Sequence, residues 1–328
     1  MRYSPRGVPQ PMVRPVGGTV MAESNSILHW LIGPDRKLRA FWRAAFFYLA
    51  GTQVVLPLLD RGYPYLARLL HAGDGLSPGN ILTGEIELFL AALICTGFMA
   101  RYEGRRIDSY GLPLKRAFGP RTWEGMLAGI IMAGAVAAGM YVLGGMQIAG
   151  FATTGPALLT SALAWLIANI CIGIAEEFWY RSYMLQTLWK SIGFWPASIL
   201  IALGFTADHY FYKTGENIWD VITLMSLSIL ICYSVLKTGT LWFAVGFHIS
   251  FDYMQLFVIG TPNGSNVPVG RMLDVSFAGP AWLTGGALGT EASFLMYPMI
   301  ALLWLFVWWR YRERPAGESV RAQPQASS

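Results

Sequence analysis

The chain has 328 residues, of which 54% are hydrophobic and only 13% charged, with a formal net charge of +5. Soluble domains carry about 25% charged residues, so this composition excludes an ordinary soluble enzyme. The basic residues cluster in short loops between apolar runs, which argues against nucleic-acid binding and for membrane orientation.

Several apolar runs approach or exceed the ~20 residues that cross a bilayer. The expected fold is an all-α, polytopic transmembrane bundle of about eight spans. Residues 1–26 are rich in Pro, Gly and Arg and lack the apolar centre of a signal peptide. They read as a disordered cytoplasmic tail, with Met21 a second candidate start. Residues 27–155 read as N-terminal spans with interfacial segments. His29, Trp30, Arg36, Lys37, Arg39 and Arg43 form a lead-in at headgroup level. The first span is expected near 44–59 and a Gly/Pro-containing loop with His71 at 60–80. The second span follows near 82–100, with Glu85 and Glu87 close to the interface. The basic 101–121 connection reads as a short amphipathic helix and a turn at Gly111-Leu112-Pro113. The third span, near 123–144, is rich in small residues that let helices approach closely.

Residues 156–260 form the expected catalytic core. It holds a fourth span from about 158 to 189, a fifth at 195–212, a sixth at 218–236 and a seventh at 241–260. Residues 261–309 supply a Gly/Pro/Asn loop and the last span, and 310–328 a polar cytoplasmic tail. Cys95, Cys171 and Cys232 all fall in apolar spans, which gives no disulfide framework and no paired metal-binding motif.

The charged groups inside the spans are few. Glu176, Glu177 and Arg181 lie in the fourth, Asp208 and His209 in the fifth, Asp220 near the start of the sixth, and His248 and Asp252 in the seventh. A charge in lipid costs at least ~2.5 kcal/mol, so each requires a reason. Glu177 and Arg181 are four apart with the acid first, the favourable order for a helical ion pair. That leaves Glu176 without a partner. Phe205 and His209 share one helical face, as do His248 and Asp252. A lone intramembrane His is most often a helix–helix hydrogen-bond partner. Acids and imidazoles gathered from three spans form a functional site by default. A carboxylate and an imidazole can deprotonate a water, directly or through a metal. A second imidazole can stabilise the oxyanion formed on a carbonyl.

In order, Glu176-Glu177-x-x-x-Arg181, Phe205-x-x-x-His209 and His248-x-x-x-Asp252 resemble the three motifs of the CPBP family, the CAAX-protease and bacteriocin-processing (Abi) intramembrane metalloproteases. The resemblance implies that Glu176 and His209 activate the hydrolytic water and that His248 and Asp252 form the oxyanion site. It implies supporting roles for Glu177, Arg181 and Phe205. With two His and a Glu at hand, zinc ligation by Glu176, His209 and His248 is chemically feasible. The implied activity is hydrolysis of a peptide bond in a membrane-embedded, lipidated or leader peptide. The partners are then that peptide and the bilayer, and the expected location is a bacterial inner membrane with both termini cytoplasmic. Two other readings stay open: a proton-coupled transporter using the same buried relay, and a catalytically silent scaffold or immunity protein of the same fold.

Two features depart from the pattern. The last motif often ends in Asn, and an ionised Asp252 cannot donate to an oxyanion. It either carries a proton, orients His248 or ligates a metal. By span counting, His209 lies toward the outer half of the membrane and Glu176 nearer its middle, an offset of roughly 10 Å at ~1.5 Å per residue.

Overall fold

The computed structural model describes residues 30–33, 36–212, 215 and 217–312. The expectations for residues 1–26, His29 and the tail beyond 312 lie outside them. Seven helical stretches among the described residues are long and apolar enough to cross a membrane. They include α1 (Ala40–Leu59), α3 (Pro78–Glu103), α4 (Pro120–Val142), α5 (Pro156–Ile192), α7 (Ile218–Thr238) and α8 (Trp242–Ile259). The seventh ends in α9 (Met296–Arg310). The expected fifth span is α6 (Phe194–Tyr212), a continuous 19-residue helix whose polar end carries Asp208 and His209. At ~1.5 Å per residue it still matches a bilayer core of about 30 Å.

Several loops are more ordered than their sequence implied. The 60–80 connection contains a short helix, α2 (Tyr63–Leu69). Between Glu103, the end of α3, and Pro120, the start of α4, the chain forms no further α-helix; it has two single 3-10 turns, Ile107–Tyr110 and Leu114–Arg116. Gly111 separates them at φ 107°, a conformation that suits glycine and ends any regular helix. The uncharged loop after α4 forms β1 (Met146–Phe151), which pairs antiparallel with β2 (Leu273–Phe277). Met146 faces Phe277 and Phe151 faces Leu273, so segments far apart in sequence are clipped together at one end of the bundle.

Helix α8 is the central post, with 72% of its residues buried. Glycines let its neighbours reach it. A Cβ on Gly125 would sit 2.1 Å from the Phe243 carbonyl, and one on Gly246 2.1 Å from the Thr122 carbonyl. A Cβ on Gly129 would sit 2.2 Å from Ser250 Oγ. Gly125 and Gly129 form a small-xxx-small stripe that packs α4 on α8 backbone to backbone. Ser250 Oγ donates to the Met126 carbonyl at 2.8 Å across the same seam. Gly173 plays the matching part on α5, against Val245 and Ile249.

Three of the helices carry π-helical turns: one lies at Gly51–Val55 in α1, and the other two follow candidate site residues directly. Trp179–Met184 in α5 comes just after Glu176 and Glu177, and Tyr253–Ile259 in α8 just after Asp252. Such turns are frequent at functional sites because they rotate the following side chains against the preceding ones.

Candidate active site

Glu177 and Arg181 are fully buried and paired, with Arg181 Nη1 donating to Glu177 Oε1 at 2.8 Å. The guanidinium also donates to Ser228 Oγ on α7 at 2.8 Å and stacks over the Phe205 ring at 5.0 Å. The pair therefore ties α5, α6 and α7 together. Glu177 has a further partner that its spacing in the sequence does not reveal. His248 Nδ1 lies 3.0 Å from the same Oε1. An oxygen that already accepts from an arginine requires a donor, so Nδ1 carries the proton. This fixes the ring and turns Nε2 toward Asp252 Oδ2, at 3.4 Å, and Glu176 Oε2, at 3.7 Å.

On α6, His209 Nδ1 lies 2.9 Å from the Phe205 carbonyl. A carbonyl only accepts, so Nδ1 is again the protonated nitrogen and Nε2 of the neutral ring is left as an acceptor. The Phe205 ring lies 4.3 Å from the imidazole and holds it in place. Asp208 takes no part in this cluster. It accepts hydrogen bonds from Tyr48 at 2.8 Å and from Tyr180, which joins α1, α5 and α6.

The depth offset expected between Glu176 and His209 is absent. Helix α6 starts at Phe194, immediately after Gly193, and Trp189 meets Phe194 while Tyr180 meets Phe205. The two segments therefore run antiparallel from Gly193. Glu176 lies 17 residues before that glycine and His209 16 after it, which brings them to one level. Span counting failed because α5 runs for 37 residues, well beyond a bilayer's width.

Glu176, His209, His248 and Asp252 line one cavity of about 170 Å³. Glu177, Arg181 and Phe205 form its inner wall. Its roof comes from the loop after α8, through Thr261, Pro262 and Asn263, and from Leu288 and Glu291. The loop is held there by Trp165 Nε1 donating to the Val269 carbonyl at 2.9 Å and Ser161 Oγ to the Gly270 carbonyl at 2.6 Å.

Glu85 also lines this cavity, which corrects its expected place at the interface. The helix begins four residues earlier than anticipated, at Pro78, where Ser77 caps it by accepting from the Asn80 N–H at 3.3 Å. Ser-Pro is a helix-start signal, and reading it would have moved Glu85 two turns into the span. Among the described residues no three His, Cys, Asp or Glu side chains are grouped to hold a metal ion. Both His Nδ1 atoms are held by protein acceptors, which leaves Nε2 of each ring for any other partner.

A wider groove of about 1010 Å³ meets the cavity at Glu85, Glu176 and His209. Leu49, Leu56 and Pro57 of α1, Leu88 of α3 and Trp179 of α5 give it apolar walls.

Residues 158–254 match the family model described as Rce1-like, type II CAAX prenyl endopeptidase. The core of this chain is a CAAX-protease-like domain. No curated protein matches the chain. The CAAX-protease-like match takes in every residue of the three motifs and stops short of α1 and α3. Glu85 and the α1 and α3 walls of the groove thus stand outside it. The match supports, at the family level, a membrane protease of the CAAX type.

Proposed function

We propose that the protein is an endopeptidase that cleaves a membrane-associated, lipidated or leader peptide by attack of an activated water. The observation that carries this reading is the single cavity lined by Glu176, His209, His248 and Asp252. A water occupies about 30 Å³, so the space admits a water and the peptide group it attacks. Glu176 is the base that takes the water's proton. His209, with Nδ1 committed to Phe205, keeps Nε2 at the same site as an acceptor that shares the proton Glu176 takes. His248, as the imidazolium with Nδ1 on Glu177, offers Nε2–H to the oxyanion, and Asp252 holds that imidazolium in place. Glu177 and Arg181 are positioning residues. Zinc, if bound, would be held by Glu176 and the Nε2 atoms of the two imidazoles and would supply Lewis acidity there. The apolar groove is the route for the substrate, because it offers a lipid or apolar chain a path that ends at Glu176.

The same reading puts both chain termini on the cytoplasmic side of a bacterial inner membrane. It is tested with purified protein and a fluorescence-quenched peptide ending in a farnesylated CAAX tail, with unmodified leader peptides alongside. Cleavage by the parent, lost by about 10²–10⁴-fold in Glu176→Ala and His209→Ala, is the expected result. Equal cleavage by parent and variants, or none by the parent, would sink the reading.

A further inference from the structure

We infer that Glu85 of α3 is a second catalytic carboxylate, which holds the hydrolytic water together with Glu176. This deepens the proposed function and rests on it. Glu85 Oε2 and Glu176 Oε2 are both buried, and neither has a hydrogen-bond partner. They line the same cavity, on helices α3 and α5, which pack against each other. Several other polar groups of the cavity are already engaged, and the donor facing Glu176 Oε2, His248 Nε2, stands 3.7 Å away, beyond hydrogen-bond distance. Glu177 is held by Arg181 and His248, His248 by Glu177 and Asp252, and His209 Nδ1 by Phe205. Gln255 Nε2 donates to Glu291 Oε1 at 3.2 Å.

Two buried acceptor oxygens in one small space need donors, because leaving them bare is unfavourable. A water supplies two O–H donors, one for each carboxylate. Held in that way, its lone pairs face away from both acids and are free to attack. The step balances without another reactant. The water oxygen bonds to the substrate carbonyl carbon while Glu176 takes one proton. The second hydrogen stays on the attacking oxygen and donates to Glu85. When the C–N bond breaks, the proton on Glu176 passes to the leaving amine. A single carboxylate would leave that second O–H free to turn, so Glu85 acts by fixing the direction of attack.

The parent, Glu85→Ala, Glu85→Gln and Glu176→Ala are compared on the farnesylated CAAX-tail peptide, each first checked for a parent-like melting midpoint in detergent. Glu85→Ala is expected to lower kcat by at least tenfold with KM within threefold of the parent. Added formate should restore part of that kcat, as it fits the volume the side chain vacates, and a purely structural role would not respond to it. Glu85→Gln keeps an acceptor oxygen in the same place and should lose three- to tenfold. Should Glu85→Ala fail to fold, the Gln variant decides. Parent-like rates in Glu85→Gln and in any folded Glu85→Ala, with Glu176→Ala inactive, overturn this inference and leave the protease reading standing. A parent that cleaves nothing overturns both.

Discussion

The carboxylate of Glu177 serves two masters, and this makes its removal separable from that of Arg181. Breaking a buried ion pair by removing one member costs about 3–5 kcal/mol, whereas replacing both members by apolar groups is often neutral. Arg181→Met should therefore lower the melting midpoint sharply, and Glu177→Leu/Arg181→Met should recover most of the loss. Activity should stay low in the double variant, since His248 Nδ1 has lost the acceptor 3.0 Å away that fixes its ring. Activity returning along with stability would mean that Glu177 is structural only. Asp252 is the second informative residue. Its Oδ2 sits 3.4 Å from His248 Nε2 and competes with any oxyanion for that donor. Asp252→Asn supplies an amide donor instead and should keep activity within threefold of the parent. Asp252→Ala should lose roughly 10²-fold, because the His248 ring loses the carboxylate 3.4 Å away that holds it for the oxyanion. A dead Asn variant would show that the carboxylate charge itself is needed.

Among the elements, α8 carries the most, because glycines set how close its neighbours come: Gly125, Gly129 and Gly246 at the contact with α4, and Gly173 on α5, the helix bearing Glu176. Gly246→Val would drive side-chain atoms into the Thr122 carbonyl, already 2.1 Å from an ideal Cβ. Overpacking commonly costs about 1–3 kcal/mol, and more where backbone is struck. The variant should melt early or fail to accumulate, while Gly84→Ala on the open face of α3, where nothing lies within 4 Å, should behave as the parent. Most helices were legible from the sequence because apolar length alone marks a span. The motifs were legible because i and i+4 share a face. What stayed hidden was long-range or depended on small boundary shifts. Local pattern gives no sign that Met146 pairs with Phe277, or that His248 reaches Glu177 across two helices. Four residues at the start of α3 moved Glu85 from the interface into the cavity.

At the scale of the whole molecule the charges sort by end. The Leu241 N–H donates to the Gly111 carbonyl at 2.8 Å and Trp242 Nε1 to the Pro113 carbonyl at 3.0 Å. Arg121 and Arg310 converge on Glu124, and Arg43 pairs with Glu103. One end of the bundle therefore gathers residues 36–43, 101–121, 237–242 and 310, and with them most of the Lys and Arg of the described residues. The other end holds the β1–β2 clip and the loop over the cavity, where Arg271 pairs with Asp274. Short basic loops tend to stay in the cytoplasm, which predicts that the clipped end faces outward. Asp108→Cys and Thr154→Cys, both exposed and at opposite ends, test this with a membrane-impermeant maleimide on intact cells. Thr154→Cys should label directly, and Asp108→Cys only after permeabilisation. The native Cys95 and Cys232 are buried and Cys171 is half-buried, so background should be low. The opposite pattern would place the basic end outside. The cavity's roof would then face the cytoplasm and a substrate delivered from that side would meet the loop at Asn263 first.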